Sequence, residues 1–381
     1  MLKSKYYIVQ LFYLLLFTQF VGMMRQAGMN KYVVYSLFLV PLIFLGNKKI
    51  RLRSACILIP PLVYITMGLV SNAASGFFDF FSTKNAILMV FPAVFAIILY
   101  EKGLVEGLDI CRTVFLSYVL YNILFYYQFN IAESTRSFPF GIFFIYFIIK
   151  KDWPFCVFAA VMCVFTQKRI ALLGMAAVLC FVILAVVLTK YCKLKKKHLW
   201  ITCCVIGVVM AYAIAGMTQT GKLVELFELI GFDPTGRQTI WKAIRPMGDF
   251  SPFFTGNGLG FATSKLDEMR VWMRDDYWFT NLHSDFYTGF LELGFTGFGV
   301  WILSYFWSFF RLTNDADDDN NGMIFALAAI VYTFIIYITD NILVYFEYWF
   351  PLNLMLLDMA YSGTAEKKRQ DMLFKAHTLH D

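Results

Sequence analysis

Residues 170–190 read IALLGMAAVLCFVILAVVLTK, a run with no charged side chain before its last position. An α-helix of about 20 residues, rising 1.5 Å per residue, crosses the roughly 30 Å hydrocarbon core of a bilayer. The run therefore predicts a membrane-spanning helix, and similar apolar runs recur along the 381-residue chain. We predict spans near 6–24, 32–46, 54–70, 86–100, 108–128, 139–149, 153–166, 170–190, 199–217, 286–310, 323–340 and 343–360.

The composition agrees with this interpretation. Hydrophobic residues make up 59% of the chain and charged residues 15%, whereas a soluble domain is about 45–50% apolar and about 25% charged. We therefore predict an all-α fold, a polytopic α-helical membrane protein of about 12 transmembrane helices. Spans 139–149 and 153–166 are short, so they form either a hairpin of short or tilted spans or a pair in which one is re-entrant.

The lysines and arginines predict the orientation. With the N-terminus inside, most basic residues of the short connections fall on the inner side, as the positive-inside rule requires. Both termini are then cytoplasmic. The net charge of +7 is explained by helix ends near lipid headgroups, so we expect no nucleic-acid partner. The eight cysteines lie in apolar segments or inner loops, which argues against a disulfide framework.

One long polar segment interrupts the apolar runs and is predicted to lie on the outer face. Connections of this length inside a compact fold are usually functional. Two short helices are predicted within it, near 237–247 and 264–274, separated by the sequence GNGLG at 256–260. The backbone N–H groups of GNGLG are candidates for binding an anion. The predicted units are a membrane bundle at 1–217, the large outer loop at 218–285, C-terminal spans at 286–360 and a cytoplasmic tail at 361–381.

His283 is the only histidine on the predicted outer face. A single histidine cannot build a multi-histidine metal site, so we predict neither a metal nor a cofactor. Its position, where the loop re-enters the membrane, suits a general base or a group that positions a nucleophile. The alternative is an ordinary polar residue at the membrane interface.

Cations near the outer boundary form a second group of candidates. The guanidinium fork matches phosphate geometry, so several cations at one depth suit a pyrophosphate at the headgroup level. The alternative is snorkelling to lipid phosphates. Arg169 is the most informative of them, because positive charge on the outer side opposes the usual bias. The group comprises Arg136, Lys168, Arg169, Arg237 and Arg245.

Three loop residues and two carboxylates complete the candidate substrate-binding set. Arg237, Trp241 and Arg245 follow an i, i+4, i+8 spacing that places them on one helix face. Such a face can bind an anionic sugar-phosphate and stack on a sugar ring, although a plain amphipathic helix on the membrane fits equally. Asp285 and Glu292 fall within the re-entering span, where carboxylates are costly and often functional. Glu292 can equally satisfy an arginine or a backbone group inside the bundle.

The run HSDFYTGFLELGFTG at 283–297 resembles the signature of the O-antigen polymerase and O-antigen ligase superfamily. In that superfamily a histidine after the large periplasmic loop is followed by Glu-x-Gly-x-x-Gly, which corresponds here to Glu292, Gly294 and Gly297. Three upstream segments resemble family segments in the same order: TQKRIALLG at 166–174, TGRQTIW at 235–241 and FTGNGLGFA at 254–262.

The resemblance implies a metal-independent glycosyltransferase in the bacterial inner membrane. Such an enzyme polymerises O-antigen or capsular repeat units that are linked to undecaprenyl pyrophosphate, at the periplasmic face. Arg169 and Arg237 would neutralise the leaving pyrophosphate, and His283 would orient or deprotonate the acceptor hydroxyl. Arg136 and Arg245 match the family pattern less closely. The implied partners are the lipid-linked glycan, the bilayer, a chain-length regulator and a flippase.

Other functions stay open at this point. Ligases often carry Asn after the histidine, whereas this chain has Ser284 and Asp285, which leaves the choice between polymerase and ligase open. Chain length and the Lys-Arg-Ile start of the helix at 168–170 favour a polymerase without deciding it. A transporter of lipid-linked sugars is a different class, but no two-fold repeat or pair of broken helices supports it. A non-catalytic component of an export complex is the remaining alternative.

Overall fold

The computed structural model describes residues 50–101, 107–129, 137–229, 231, 236–270, 281–314 and 320–377. Over these ranges the chain forms helices and no strand. The predicted spans 6–24 and 32–46 lie outside the described residues. The helices are α1 Ile59–Ser75, α2 Phe80–Ile87, α3 Phe91–Glu101, α4 Gly107–Phe129, α5 Ser137–Ile149, α6 Trp153–Phe165, α7 Arg169–Lys190, α8 Lys196–Thr220, α9 Lys222–Leu229, α10 Arg237–Ile244, α11 Phe261–Arg270, α12 Asp285–Thr313, α13 Asn321–Thr339 and α14 Phe346–His377, with 3-10 turns at Leu52–Leu58, Leu88–Val90 and Arg245–Met247.

Several of these helices have the length and composition of membrane spans. In the described part of the chain, 5 candidates are present: Leu52–Ser75, α7, α8, α12 and α13. Shorter apolar helices occur at Leu88–Glu101, α5 and α6. The all-helical membrane architecture is thus confirmed, while the total of about 12 spans, the orientation and the predicted unit boundaries stay predictions. Helix α14 continues to His377, past the predicted end of the last span at 360.

The short spans 139–149 and 153–166 are confirmed as two separate short helices, α5 and α6. The chain reverses at Lys150–Asp152, where Lys151 adopts a left-handed φ of 59°, and the two helices pack against each other. The result is a helical hairpin. Its predicted depth in a membrane stays a prediction.

Helix α13 lies at the centre of the bundle. In its most apolar 18-residue window 83% of residues are buried, against 22% in α7. Helix α13 packs on α5, α7 and α12. Large apolar side chains of α7 and α8 remain exposed, as expected of faces turned toward lipid.

Helix α12 is broken near its start. Gly294 has φ 72° and ψ −178°, which no helical residue adopts, so the predicted span 286–310 is two helical pieces joined at this glycine. The loop before α11 fits into the break: Phe295 N–H donates to Phe254 O at 2.8 Å, and Asn257 N–H donates to Leu291 O at 2.9 Å. Helix α1 closes the other side, because Ser71 Oγ donates to Thr255 O at 2.7 Å.

The segment predicted as the large loop has a small hydrophobic core of its own. This core, called the loop core below, joins the loop helices to the first turns of α12. Because it includes residues of α12, the loop is packed on the bundle rather than tethered to it. Its buried members are Leu223, Phe227, Ile240, Trp241, Ile244, Ala262, Leu266, Leu282, Tyr287 and Leu291.

We predict that Gly294→Ala destabilises the protein far more than Gly76→Ala. Gly76 (φ 72°, ψ 4°) lies in the left-handed helical region, which costs a side chain about 1 kcal/mol, and nothing lies within 4 Å of a Cβ there. Gly294 (φ 72°, ψ −178°) lies in a region that essentially only glycine adopts, and a Cβ there would lie 2.2 Å from the carbonyl carbon of Thr255. The strain and the backbone clash together cost about 3 kcal/mol or more. Apparent melting temperatures of the detergent-purified variants measure the difference. Equal melting temperatures would show that the loop does not depend on this close approach.

Candidate active site

Four charged or titratable residues from distant parts of the chain meet at one place. Lys168 Nζ lies 3.1 Å from Asp340 Oδ2, and this ion pair is largely buried, with side-chain exposures of 17% and 3%. The charges of Asp340, Arg237 and Lys168 all act on the imidazole of His283. We call these four residues the outer cluster. It contains three of the residues predicted from sequence.

The three basic members of the outer cluster share a structural position. Lys168 is the N-cap residue of α7, Arg237 is the first residue of α10, and His283 lies two residues before α12. The N-terminal end of a helix carries a partial positive charge and unsatisfied N–H groups that favour anions. Three helix ends and two cationic side chains therefore add to one region of positive potential.

The backbone of His283 is unusual. Its φ of 51° lies in the left-handed region, which is uncommon for a residue with a side chain and persists only where neighbours enforce it. On one side, Ser284 caps α12: its Oγ accepts from Tyr287 N–H at 3.3 Å and donates to Tyr337 O at 3.1 Å. These bonds constrain the backbone that follows His283.

The surroundings of His283 favour its neutral form. Burial lowers the pKa of His283 below its ordinary value; Asp340 opposes this shift, and the positive charges of Arg237 and Lys168 add to it. A neutral imidazole can accept a proton near neutral pH, which is what a general base requires. The carboxylate of Asp340 would then stabilise the imidazolium that forms.

Asp340 was missed by the analysis of the sequence. It ends α13 as its C-cap residue, and its Oδ1 accepts from Asn341 N–H at 2.8 Å. A carboxylate at the boundary of an apolar span is a usable signal, because such groups are costly unless paired. Its partner, however, lies more than 150 residues away, at Lys168, and no spacing rule connects the two.

The structure also distinguishes two neighbouring cations. Lys168 joins the outer cluster, whereas Arg169, predicted to be catalytic, is an exposed residue at the start of α7. Gln167, with φ 55°, sets the direction in which the chain enters the helix. Arg136 lies outside the described residues. The predicted roles of Arg169 and Arg136 therefore stay predictions.

Two loop-helix residues predicted to bind substrate have structural contacts instead. Trp241 is fully buried in the loop core, and its indole N–H donates to Leu282 O at 2.7 Å, so its ring offers no open face to a sugar. Arg245 Nε donates to Thr218 O at 2.9 Å, at the C-terminal end of α8 where a cation is favourable. Binding of substrate by either residue stays a prediction that these contacts do not support.

The two carboxylates of α12 are likewise engaged by the protein. Asp285 Oδ2 accepts from Leu343 N–H at 2.9 Å and so fixes the connection that follows Asp340. Glu292 accepts from Tyr64 OH at 2.7 Å and from the backbone N–H groups of Gly260 and Ala262. Both are buried. Their predicted contact with substrate stays untested, and the contacts present are those of residues that shape the site.

The GNGLG sequence does not face a ligand. The N–H groups of Asn257 and Gly258 donate to carbonyls of α12, and Leu259 N–H donates to Asn72 Oδ1 at 2.6 Å. The Gly260 N–H donates to the carboxylate of Glu292, so binding of an anionic ligand by these amides stays a prediction that the contacts do not support. The glycines serve close backbone approach instead, since a Cβ at Gly256 would lie 2.4 Å from Gly294 N.

Residues 154–302 match the family model described as O-antigen ligase. We call residues 154–302 the O-antigen ligase-family domain, since this match supports the O-antigen ligase/polymerase-like superfamily. No curated protein and no solved structure shows significant similarity to the chain. The resemblance seen in the motifs is thereby confirmed. The family covers O-antigen polymerases and ligases, which are glycosyltransferase-like membrane enzymes of polysaccharide biosynthesis.

The O-antigen ligase-family domain contains most of the outer cluster. Lys168, Arg237 and His283 fall within residues 154–302, and Asp340 lies beyond them. The ion pair at 3.1 Å therefore joins the domain to a helix outside the matched range. The matched range also includes the break at Gly294.

We predict opposite pH shifts for two cluster variants. Arg237→Gln removes a positive charge near His283, so it should raise the pKa of His283. Asp340→Asn removes the negative charge and should lower this pKa. If neutral His283 is needed for activity, the acid limb of the pH–rate profile moves upward in the first variant and downward in the second. Shifts in the same direction, or none, would contradict the electrostatic coupling described here.

Proposed function

We propose that this protein is a polysaccharide polymerase that joins undecaprenyl-pyrophosphate-linked repeat units, as in O-antigen or capsule synthesis. The reaction takes place at the periplasmic face of the bacterial inner membrane. The observation that carries the proposal is the outer cluster: a largely buried imidazole on a constrained backbone, beside two cations at three helix N-terminal ends. This combination suits a sugar hydroxyl as nucleophile and a pyrophosphate as leaving group.

In the proposed reaction, His283 accepts the proton of an acceptor sugar hydroxyl. The hydroxyl oxygen forms a bond with the anomeric carbon of the donor glycan, and the bond from that carbon to the pyrophosphate oxygen breaks. The electron pair leaves with undecaprenyl pyrophosphate. Lys168 and Arg237 stabilise the charge that develops on the leaving group, and Asp340 stabilises protonated His283 until the proton passes to solvent.

The second candidate is an O-antigen ligase, supported by the match to the O-antigen ligase family. Its chemistry at the outer cluster is the same, with a lipid A-core sugar supplying the hydroxyl. Chain length and the Lys-Arg-Ile helix start at 168–170 favour the polymerase. A purified enzyme distinguishes the two: a polymerase makes a ladder from lipid-linked repeats alone, and a ligase transfers glycan only when lipid A-core is added.

We predict that Lys168→Ala, Arg237→Ala and His283→Ala each lower the rate of glycan transfer by about 100-fold or more. Lys242→Ala is the matched control, because Lys242 is exposed on the same helix as Arg237. Arg169→Ala should cause a smaller loss than Lys168→Ala. Glycan ladder length on a gel, at equal protein level in the membrane, gives the readout. Full ladders from all three cluster variants would exclude a catalytic role for the cluster and would leave a transporter or an export component.

A further inference from the structure

The indole of Trp241 links the helix that carries Arg237 to the residue before His283. Trp241 lies one helical turn after Arg237 on α10, and its ring is fully buried in the loop core. Its Nε1–H donates to the carbonyl of Leu282 at 2.7 Å. Leu282 immediately precedes His283, so the helix that carries Arg237 also holds the backbone that carries the imidazole.

This hydrogen bond fixes the residue next to His283, whose backbone conformation is unusual. With φ at 51°, His283 will relax toward an ordinary conformation unless the residues on both sides are fixed. Ser284 is fixed by α13, through its bond to Tyr337 O at 3.1 Å. On the other side, the bond from Trp241 fixes Leu282, which is 1% exposed.

Helix α10 itself has other attachments. Gln219 Nε2 donates to Arg245 O and to Gly248 O, each at 2.7 Å, and Gln219 Oε1 accepts from Tyr287 OH at 2.7 Å. These bonds secure the end of α10 to α8 and α12 without involving Leu282. Loss of the indole N–H alone should therefore leave the loop folded while releasing His283.

We infer that Trp241 is a positioning residue for His283: its indole N–H holds the imidazole at the correct distance from Arg237 and the acceptor hydroxyl. Trp241 does not touch substrate. The inference rests on the proposed function, because it assigns a second residue to the same reaction. It replaces the sequence-based expectation of sugar stacking with a contact that the structure contains.

The test is Trp241→Phe, which keeps an aromatic ring in the loop core and removes the donor. Tyr287→Phe is the matched control, because it also removes one hydrogen bond from the loop core but none from Leu282. We expect Trp241→Phe to lower kcat by about 10- to 100-fold with little change in KM, since a misplaced catalytic group costs rate more than binding. Tyr287→Phe should retain kcat.

A second readout does not depend on turnover. With His198, His377 and His380 replaced by glutamine, His283 is the only histidine of the chain. Its rate of modification by diethyl pyrocarbonate should rise several-fold in Trp241→Phe and stay unchanged in Tyr287→Phe. If Trp241→Phe fails to fold, site-specific replacement of Trp241 by 3-benzothienyl-alanine removes the N–H and preserves the ring volume.

The outcomes separate the inference from the proposed function. Unchanged kcat and unchanged His283 reactivity in a folded Trp241 variant overturn the inference, even where His283→Ala is inactive and the proposed function stands. Equal losses in Trp241→Phe and Tyr287→Phe also overturn it, because they indicate general loosening of the loop core. Full activity of His283→Ala refutes the proposed function itself.

Discussion

The buried ion pair between Lys168 and Asp340 is the interaction on which the candidate site depends. Removing two charges from water is costly, and a buried pair contributes little to net stability, whereas a single unpaired partner is strongly destabilising. The pair therefore joins the start of α7 to the end of α13. Helix α13 is the most buried candidate span among the described residues. The ion pair therefore attaches the cluster to the centre of the bundle.

The break in α12 attaches the loop to the bundle, as the ion pair attaches α7 to α13. A continuous helix satisfies its own backbone groups, but the left-handed turn at Gly294 leaves carbonyls near the break available to another segment. The amides of Asn257 and Gly258 donate to two of these carbonyls, and the carboxylate of Glu292 accepts the N–H groups of Gly260 and Ala262. A polar, glycine-rich connection is thereby locked onto a membrane helix, and α10 is brought over His283.

The elements of this fold could be predicted largely from sequence because long apolar runs have one physical solution in a bilayer. The short hairpin α5–α6 and the loop helix α10 followed from the same patterns. Side-chain direction was not predicted: Lys168 is the N-cap residue of α7 with extended backbone, whereas Arg169 is its first helical residue, so the two consecutive cations have different surroundings. The burial of Trp241 was not predicted, because it requires partners from α9, α11 and α12 that meet only in the folded loop core. The role of Asp340 could not be predicted, because its partner Lys168 lies at the start of a helix that is distant in sequence.

The electrostatics of the outer cluster argue for an anionic ligand. Among the described residues, the charges of two cations and one carboxylate act on His283, and burial lowers the pKa of its imidazole. Three helix N-terminal ends add partial positive charge to the same place. Cationic side chains at helix N-terminal ends favour an anionic group through charge-assisted hydrogen bonds. In the proposed reaction this group is a pyrophosphate, which accumulates more negative charge as the glycosyl bond breaks. Cations that bind the donor in this way would bind the transition state more strongly, which is the condition for catalysis.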